Sequence, residues 1–398
     1  MRILFKMALL MLITSVNLNA QDFRKISSKS IPATKDMSVI FNLKNTTVRI
    51  EESTDGKIHY NYSMEFTGYT KKQIAETLKK VTIKTAHSKN HMTLEVDSDK
   101  VIQLLNYSVD DVDELMFRPK KSSYFNKSSS DTIVRVSKDS MLQAVRRNRN
   151  SNPKQFLQQF TFFKGNDRNN MFNEVSSKRV DIMKSKFVIK IPPFIKLNIN
   201  ADNSNIYFNG EIQNELSINQ TKGKLKVEEL RNAYNNIILN NVLSFEAQNI
   251  VGGNYKLKSL YHSNIVAISS VKVESEFSKI KFGEIGRATT ITDFNSEYWF
   301  YNWSNDFERF NLYSEYSKIH LFYPKANHSL SAIGNNTKML LGNGDFEVEM
   351  QPTRNGEKFT MMTKGAKDET KPVNEIYFDI VHGIIFTHED SIKQINKD

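Results

Sequence analysis

The 398-residue chain contains no cysteine. That absence excludes disulfides, thiolate metal sites, cysteine nucleophiles and a cysteine-linked lipid anchor. Stability has to come from a core and from backbone ladders. Proline and glycine are few, 8 and 15 residues, while Asn, Lys, Ile and Phe are abundant. This balance accompanies AT-rich bacterial genomes. Beyond the first twenty residues no stretch is apolar enough to span a bilayer. Catalytic signatures are missing as well: there is no serine-centred elbow, no zinc-protease helix and no nucleotide fingerprint.

What is present begins with "MRILFKMALLMLITSVNLNAQD". Arg2 and Lys6 give a basic start, Met7 to Ile13 an apolar run, and Ala20 a small residue at a plausible cleavage point. The pattern predicts a secretory signal peptide over residues 1–20 and an exported, soluble mature chain, in the periplasm, at the cell surface or secreted. The formal charge is +11, and it is unevenly placed. From Arg118 to Lys190 there are 17 Lys/Arg against 5 Asp/Glu, so the rest of the chain is close to neutral. This segment, with Arg146, Arg147 and Arg149 at its centre, is a candidate surface for an anionic polymer. Export argues against nucleic acid as its partner.

Residues 21–100 read as a strand-rich region. "MSVIFNL", "TTVRIEE" and "KIHYNYSMEF" alternate, and one short helix is expected in "YTKKQIAETLKKV". Thr70 is its N-cap, and Ile74, Leu78 and Val81 stand at helical spacing. Residues 101–186 lose periodicity and read as a basic, partly flexible insertion.

From residue 187 to about 350 a unit near 19 residues long repeats. Anchors fall at Ile206, Leu225, Leu243, Ile265, Ile280, Tyr298, Ile319 and Met339. Two residues beyond them stand Phe208, Val227, Phe245, Ala267, Phe282, Phe300, Leu321 and Leu341. Residues i and i+2 of a strand share a face, so both rows should point inward. Ile199, Ile218, Val273, Ile291 and Leu312 precede their anchors by seven, and Leu257 precedes Ile265 by eight. Two residues before the anchors stand Ser204, Gly223, Asn241, Ser263, Ser278, Ser296, Ser317 and Thr337, all small or polar corner formers. Two short strands per repeat around a corner predict an all-β fold: a single-stranded β-solenoid, parallel β-helix-like, of about eight coils. Stacking at the strand spacing would make it about 35–40 Å long. Residues 351–398, with "NEIYFDIVHGIIFTHED", are expected to form closing strands or a cap.

The stretch "FVIKIPPFIKLNINADNSNIYFNG" resembles the lead-in to the β-coils of an adhesin-type domain family of bacterial cell-envelope proteins, a family of unknown function. "VIKIPP" (Val188 to Pro193), "KLNI" and "NSNIYFNG" carry the resemblance, which covers residues 36–100 and 187–345. It implies a β-solenoid with a non-catalytic envelope role and names no ligand. Serine mostly replaces the family's corner glycine, which survives here only at Gly223.

Candidate chemistry is sparse. His87 and His91 flank a turn in "HSKNH" and lack a third ligand, so no metal is expected there. "GNGDF" is an ordinary turn. The outward positions between anchors are Tyr207, Lys226, Ser244, Val266, Lys281, Trp299, His320 and Leu340, a row without a carboxylate. Asp293, Glu297, Asp306, Glu308 and Glu315 lie elsewhere and read as solvated turns, without the acid pair that a glycosidase needs. Trp299, Tyr301 and Trp303 fall on the outward parity and form the candidate contact patch. The expected function is a non-enzymatic, adhesin-like interaction protein without cofactor or metal. Its partner would be an envelope protein, a glycan or an anionic polymer. The alternative is a carbohydrate-active enzyme of parallel β-helix type.

Overall fold

The computed structural model describes residues 22–67, 69–98, 114–119, 134–137, 160–162, 182–324, 327–340, 347–352, 358–365 and 373–388. The expected signal peptide and Arg146, Arg147 and Arg149 lie outside the described residues. The strands of the first half are β1 (Asp22–Pro32), β2 (Ser38–Lys44), β3 (Thr47–Glu52), β4 (Lys57–Thr67), β5 (Val81–His87), β6 (His91–Ser98), β7 (Glu114–Pro119), β8 (Val134–Ser137), β9 (Phe160–Phe162) and β10 (Ile182–Ile191). Next come β11 (Lys196–Ile212), β12 (Leu216–Arg231), β13 (Asn236–Asn240), β14 (Ser244–Val251), β15 (Asn254–Lys258), β16 (His262–Ser269), β17 (Lys272–Glu276), β18 (Lys279–Gly286) and β19 (Ala288–Phe294). The last are β20 (Glu297–Trp303), β21 (Arg309–Glu315), β22 (Lys318–Phe322), β23 (His328–Asn335), β24 (Lys338–Leu340), β25 (Glu347–Pro352), β26 (Lys358–Lys364), β27 (Asn374–Val381) and β28 (Ile384–His388).

The chain divides into two compact units. One comprises residues 1–26, 62–80 and 100–186. It contains the single described helix, α1 (Lys71–Leu78). Thr70 caps it as expected: its hydroxyl accepts from the Gln73 N–H, and the Gln73 side chain accepts from the Thr70 N–H. Ile74 is its buried residue. A small antiparallel sheet, β8–β7–β9, belongs to the same unit.

The second unit, residues 27–61, 81–99 and 187–398, carries the all-β solenoid. Each coil crosses two faces. The first face runs β6, β2, the first half of β11, the first half of β12, then β13, β15, β17, β19, β21, β27 and β23, all parallel. The second runs β3, the second halves of β11 and β12, then β14, β16, β18, β20, β22, β28 and β24, also parallel. The first face ends on antiparallel strands, β5 against β6 and β26 against β23, with β25 beyond. These antiparallel strands cover the parallel edges, and β5 and β25 become the outer strands of that face.

Inward residues stack in columns. One column on the first face is Phe41, Ile199, Ile218, Ile237, Tyr255, Val273, Ile291, Leu312, Phe378 and Ala332. Five of the six expected residues stand in it. Leu257 instead belongs to the neighbouring column, and Tyr255 takes its place.

The second-face column is Ile206, Leu225, Phe245, Ser263, Ile280, Tyr298, Ile319, Ile385 and Met339. Leu243 and Ile265 are therefore not its members. Ile265 lies one inward place later, beside Ala247, and Leu243 is outside the core, about half exposed.

The reason is one extra residue at two corners. Most corners place a left-handed residue three before the inward anchor, as with Asn203, Lys222, Phe277, Asn295, Tyr316, Asn336 and His382. At Asn241 and Ser259 the interval is four, which extrudes Leu243 and Tyr261. Val242 and Leu260 then fill the buried place held elsewhere by Ser204, Gly223, Ser278, Ser296, Ser317 and Thr337. Gly223 is needed where it stands: φ is +76°, and a Cβ would lie 2.0 Å from the Ser204 carbonyl oxygen.

The C-terminal strands are not a terminal cap. β27 and β28 sit between the rung of β21 and β22 and the rung of β23 and β24. The chain leaves a rung vacant and fills it with its last described strands.

Candidate contact surface

Trp299, Tyr301 and Trp303 all lie on β20, and the structure separates them. Trp303 is buried. Its indole Nε1–H donates to the Phe322 carbonyl oxygen at 2.8 Å, and its ring packs edge-on against Phe307 and Phe310 at 4.7 and 5.4 Å. Strict alternation fails because two residues, Tyr301 and Asn302, separate the inward Phe300 from the inward Trp303. The same spacing in β12, β14, β16 and β18, and a longer one in β11, builds a third inward column, Ile212, Leu230, Ile250, Ile268, Ile285 and Trp303. Trp303 is thus the last member of a core column, not a surface anchor.

Trp299 does point outward, half-buried. Its ring lies parallel to His320, 5.0 Å away, and the Lys281 ammonium is 5.4 Å from the ring centre. These neighbours come from the rungs on either side, β22 and β18, so both faces of the indole are covered. The stack continues through His320 to Phe386 at 4.8 Å, while Tyr301 leans on Phe322 at 5.1 Å. Sugar stacking needs a free ring face, and Trp299 has none to offer.

The outward column containing these residues reads Tyr207, Lys226, Glu246, Asn264, Lys281, Trp299, His320, Phe386 and Leu340. Glu246 and Asn264 replace the expected Ser244 and Val266, because of the two longer corners. A carboxylate therefore does occur in this row.

His320 is held tightly. Besides its two ring neighbours, its Nε2 lies 3.6 Å from Glu297 Oε1, and its Nδ1 lies 3.3 Å from Nε2 of His388. The His388 ring stacks on Phe322 at 4.5 Å. Burial, then the neighbouring His388, pushes His320 below the ordinary histidine range, and burial does the same for His388. Both rings are therefore neutral at neutral pH.

The acids divide into two groups. Asp293 is buried in the neighbouring first-face column, after Leu257 and Ser275, not in a solvated turn. It accepts from Ser275 at 2.6 Å, Tyr298 at 3.0 Å, the Ser296 N–H at 3.2 Å and the Ser317 hydroxyl. Such saturation by donors marks a structural carboxylate. Burial and the Asp293 carboxylate push the Tyr298 phenol far above its ordinary range. Glu274 and Glu276 line a shallow groove with Asp293. Each meets a lysine of the preceding rung, Lys256 at 2.8 Å and Lys258 at 2.6 Å. They form a ladder of surface ion pairs between β15 and β17.

The feature that alternation did not reveal is the corner. Left-handed backbone suits Gly and Asn and is an outlier for bulky residues. Asn45, Asn203, Asn241, Asn295 and Asn336 obey that preference, whereas Phe277 (φ 50°) and Tyr316 (φ 58°) do not. Phe277 meets Phe294 at 5.4 Å, Phe294 meets Tyr316 at 5.8 Å, and Tyr316 stacks on His382 at 5.0 Å. Phe277, Phe294 and Tyr316 are 50, 39 and 51% exposed. Leu243 and Tyr261, extruded at the same corner on earlier coils, are 51 and 68% exposed. The recurring left-handed corner, with aromatics where Asn is expected, is the sequence signal for this stripe.

His87 and His91 are exposed at the β5–β6 turn, with His91 bonded to Thr93. Among the described residues no group of three or more His, Asp or Glu is arranged to hold a metal, and no helix is long and apolar enough to cross a membrane.

No protein family matches the chain, and no curated protein does. Two solved bacterial structures align with it over most of their length. One is a candidate cell-adhesion protein from Clostridium sporogenes, at 8% identity, covering 92% of this chain and 99% of that one, with a TM-score of 0.19. The other is a candidate adhesin from Bacteroides fragilis, at 9% identity, covering 93 and 99%, with a TM-score of 0.26. At such values the likeness assigns no activity or partner to this chain.

Proposed function

We propose that the protein is a non-enzymatic β-solenoid of the bacterial cell envelope that acts by surface contact through its aromatic corner. One observation carries this reading. Phe277 and Tyr316 occupy exposed, left-handed positions where backbone energetics favour Asn. A local cost of about 1–2 kcal/mol per residue is retained at a solvated site where the ring adds nothing to the core. Costs of this kind concentrate at functional positions. A run of exposed apolar side chains along one corner is a surface suited to an apolar protein partner. The basic insertion around Arg146, Arg147 and Arg149 is a second contact region in this proposal, suited to an anionic envelope polymer.

The test is binding of the purified chain to cell envelopes of its native host, before and after protease treatment. Binding should be saturable, lost on protease treatment of the envelopes and lost in the double variant Phe277→Asn/Tyr316→Asn. Binding that survives protease but not glycosidase would make the partner a glycan. Turnover of a polysaccharide substrate would contradict the non-enzymatic reading.

A further inference from the structure

The His320–His388 pair joins β22 to β28, the strand that fills the vacant rung. Nδ1 of His320 and Nε2 of His388 share one hydrogen bond at 3.3 Å, with the ring planes 13° apart. Such a bond needs a proton on one nitrogen and a lone pair on the other. A first added proton leaves it intact, because an imidazolium can donate to a neutral imidazole. A second removes the last lone pair and sets two N–H groups against each other.

The rings have little freedom to relieve that clash. His320 lies between Trp299 and Phe386, at 5.0 and 4.8 Å, with ring planes 3 and 7° from parallel. His388 stacks on Phe322 at 4.5 Å. Turning either ring would give up these contacts. The alternative is for β28, only five residues long, to move off β22.

Added positive charge also meets unfavourable surroundings. The outward column beside the pair reads Lys279, Glu297, Lys318, Ile384 and Lys338, across β18, β20, β22, β28 and β24. Its single carboxylate, Glu297, lies 3.6 Å from Nε2 of His320 and 3.4 Å from the Lys279 ammonium, so its charge is shared. Lys281 stands over the Trp299 ring. On the other side, the Tyr323 N–H donates to the His388 carbonyl oxygen, and the Tyr323 ring meets Lys364 and His328.

We propose that the His320–His388 pair is an acid-sensitive latch on the inserted rung: protons taken from solvent break its N–H···N bond and free β28 from β22. Burial, and for His320 the neighbouring His388, holds both rings below the ordinary histidine value of 6.5. A released β28 therefore takes up protons before a docked one. Docking is at full strength above about pH 6.5 and weakens as pH falls below it. Release leaves the edge of β22 with unpaired backbone groups, to which a strand of another chain can add. This inference is independent of the aromatic corner.

The test is amide hydrogen exchange of the full mature chain at about pH 7.5 and about pH 5, corrected for the intrinsic pH dependence of exchange. Protection of Ile384–His388 should fall at least about tenfold more than that of β14, a distant rung of the same face. His388→Gln, which can still hydrogen-bond but does not titrate, should remove this difference. His382→Asn, at the exposed corner of the same rung, should keep it. If His388→Gln fails to fold, His320→Gln gives the same reading from the other strand. Protection of β28 that is unchanged by acid, that falls no further than that of β14, or that falls equally in wild type and both glutamine variants would overturn the inference.

Discussion

At the residue scale, the molecule puts polarity inside its core and restores it with hydrogen bonds. Asp293 and Tyr298 are the main example. Unpaired, a buried carboxylate would cost several kcal/mol, but four donors surround this one. The phenol of Tyr298 is kept neutral by burial and by that carboxylate. An acid whose folded pKa is raised binds a proton that the unfolded chain releases first. Stability should therefore fall as pH rises above about 10, the ordinary tyrosine value. Urea melts between pH 8 and 11 should show this slope, and Tyr298→Phe should lessen it, the remainder coming from Tyr255 and Tyr323, which burial also raises. An unchanged slope in the variant would mean that other groups carry the alkaline loss. Little of this was legible beforehand. Asp293 read as a turn residue because aspartate so often is one, and its inward place depends on a column that only strand register defines.

At the element scale, the strand–corner–strand unit was readable, and its failures have physical causes. "NSNIYFNG" does turn at Asn203 and enter the core at Ile206 and Phe208. Small residues at six of the eight corners marked the right place. The other two corners hold one residue more, so regular spacing misplaced Leu243 and Ile265. Trp303 was misplaced because β20, like β12, β14, β16 and β18, carries two consecutive outward residues, which no simple alternation anticipates. The corner aromatics follow a different rule, one of backbone conformation. Replacing Phe277 or Tyr316 by Asn removes about 1 kcal/mol of backbone strain and about 1 kcal/mol of ring contacts. Each variant should stay within about 1 kcal/mol of wild type in chemical denaturation. A loss above about 3 kcal/mol would make these rings structural, by the measure of core truncations.

At the scale of the whole molecule, the vacant rung matters most. Hydrophobic periodicity gave the coils their sequence order, but it could not show that residues after 373 return between two earlier rungs. Sequence distance hides such an insertion, which also brings Phe386 and His388 to β22. Removing residues 374–398 should therefore act like cutting out the middle of a ladder. It strips Ile376, Phe378, Ile380 and Ile385 from the core. Core truncations cost about 2–5 kcal/mol each, against a total stability of about 5–15 kcal/mol. The truncated chain should be insoluble or lack a cooperative melt. Removing residues 347–364, which include only closing strands among those described, should leave a folded chain with a lower melting temperature. Equal behaviour of the two deletions would refute the inserted rung as an internal support.

The proposed contact function rests on the aromatic corner, and envelope binding tests it most directly. Wild type, Trp299→Ala and Phe277→Asn/Tyr316→Asn should be compared at equal folded concentration. The account predicts saturable binding for wild type and Trp299→Ala, because both indole faces are already covered, and loss of at least tenfold in affinity for the double variant. Equal binding by all three, or loss confined to Trp299→Ala, would contradict it.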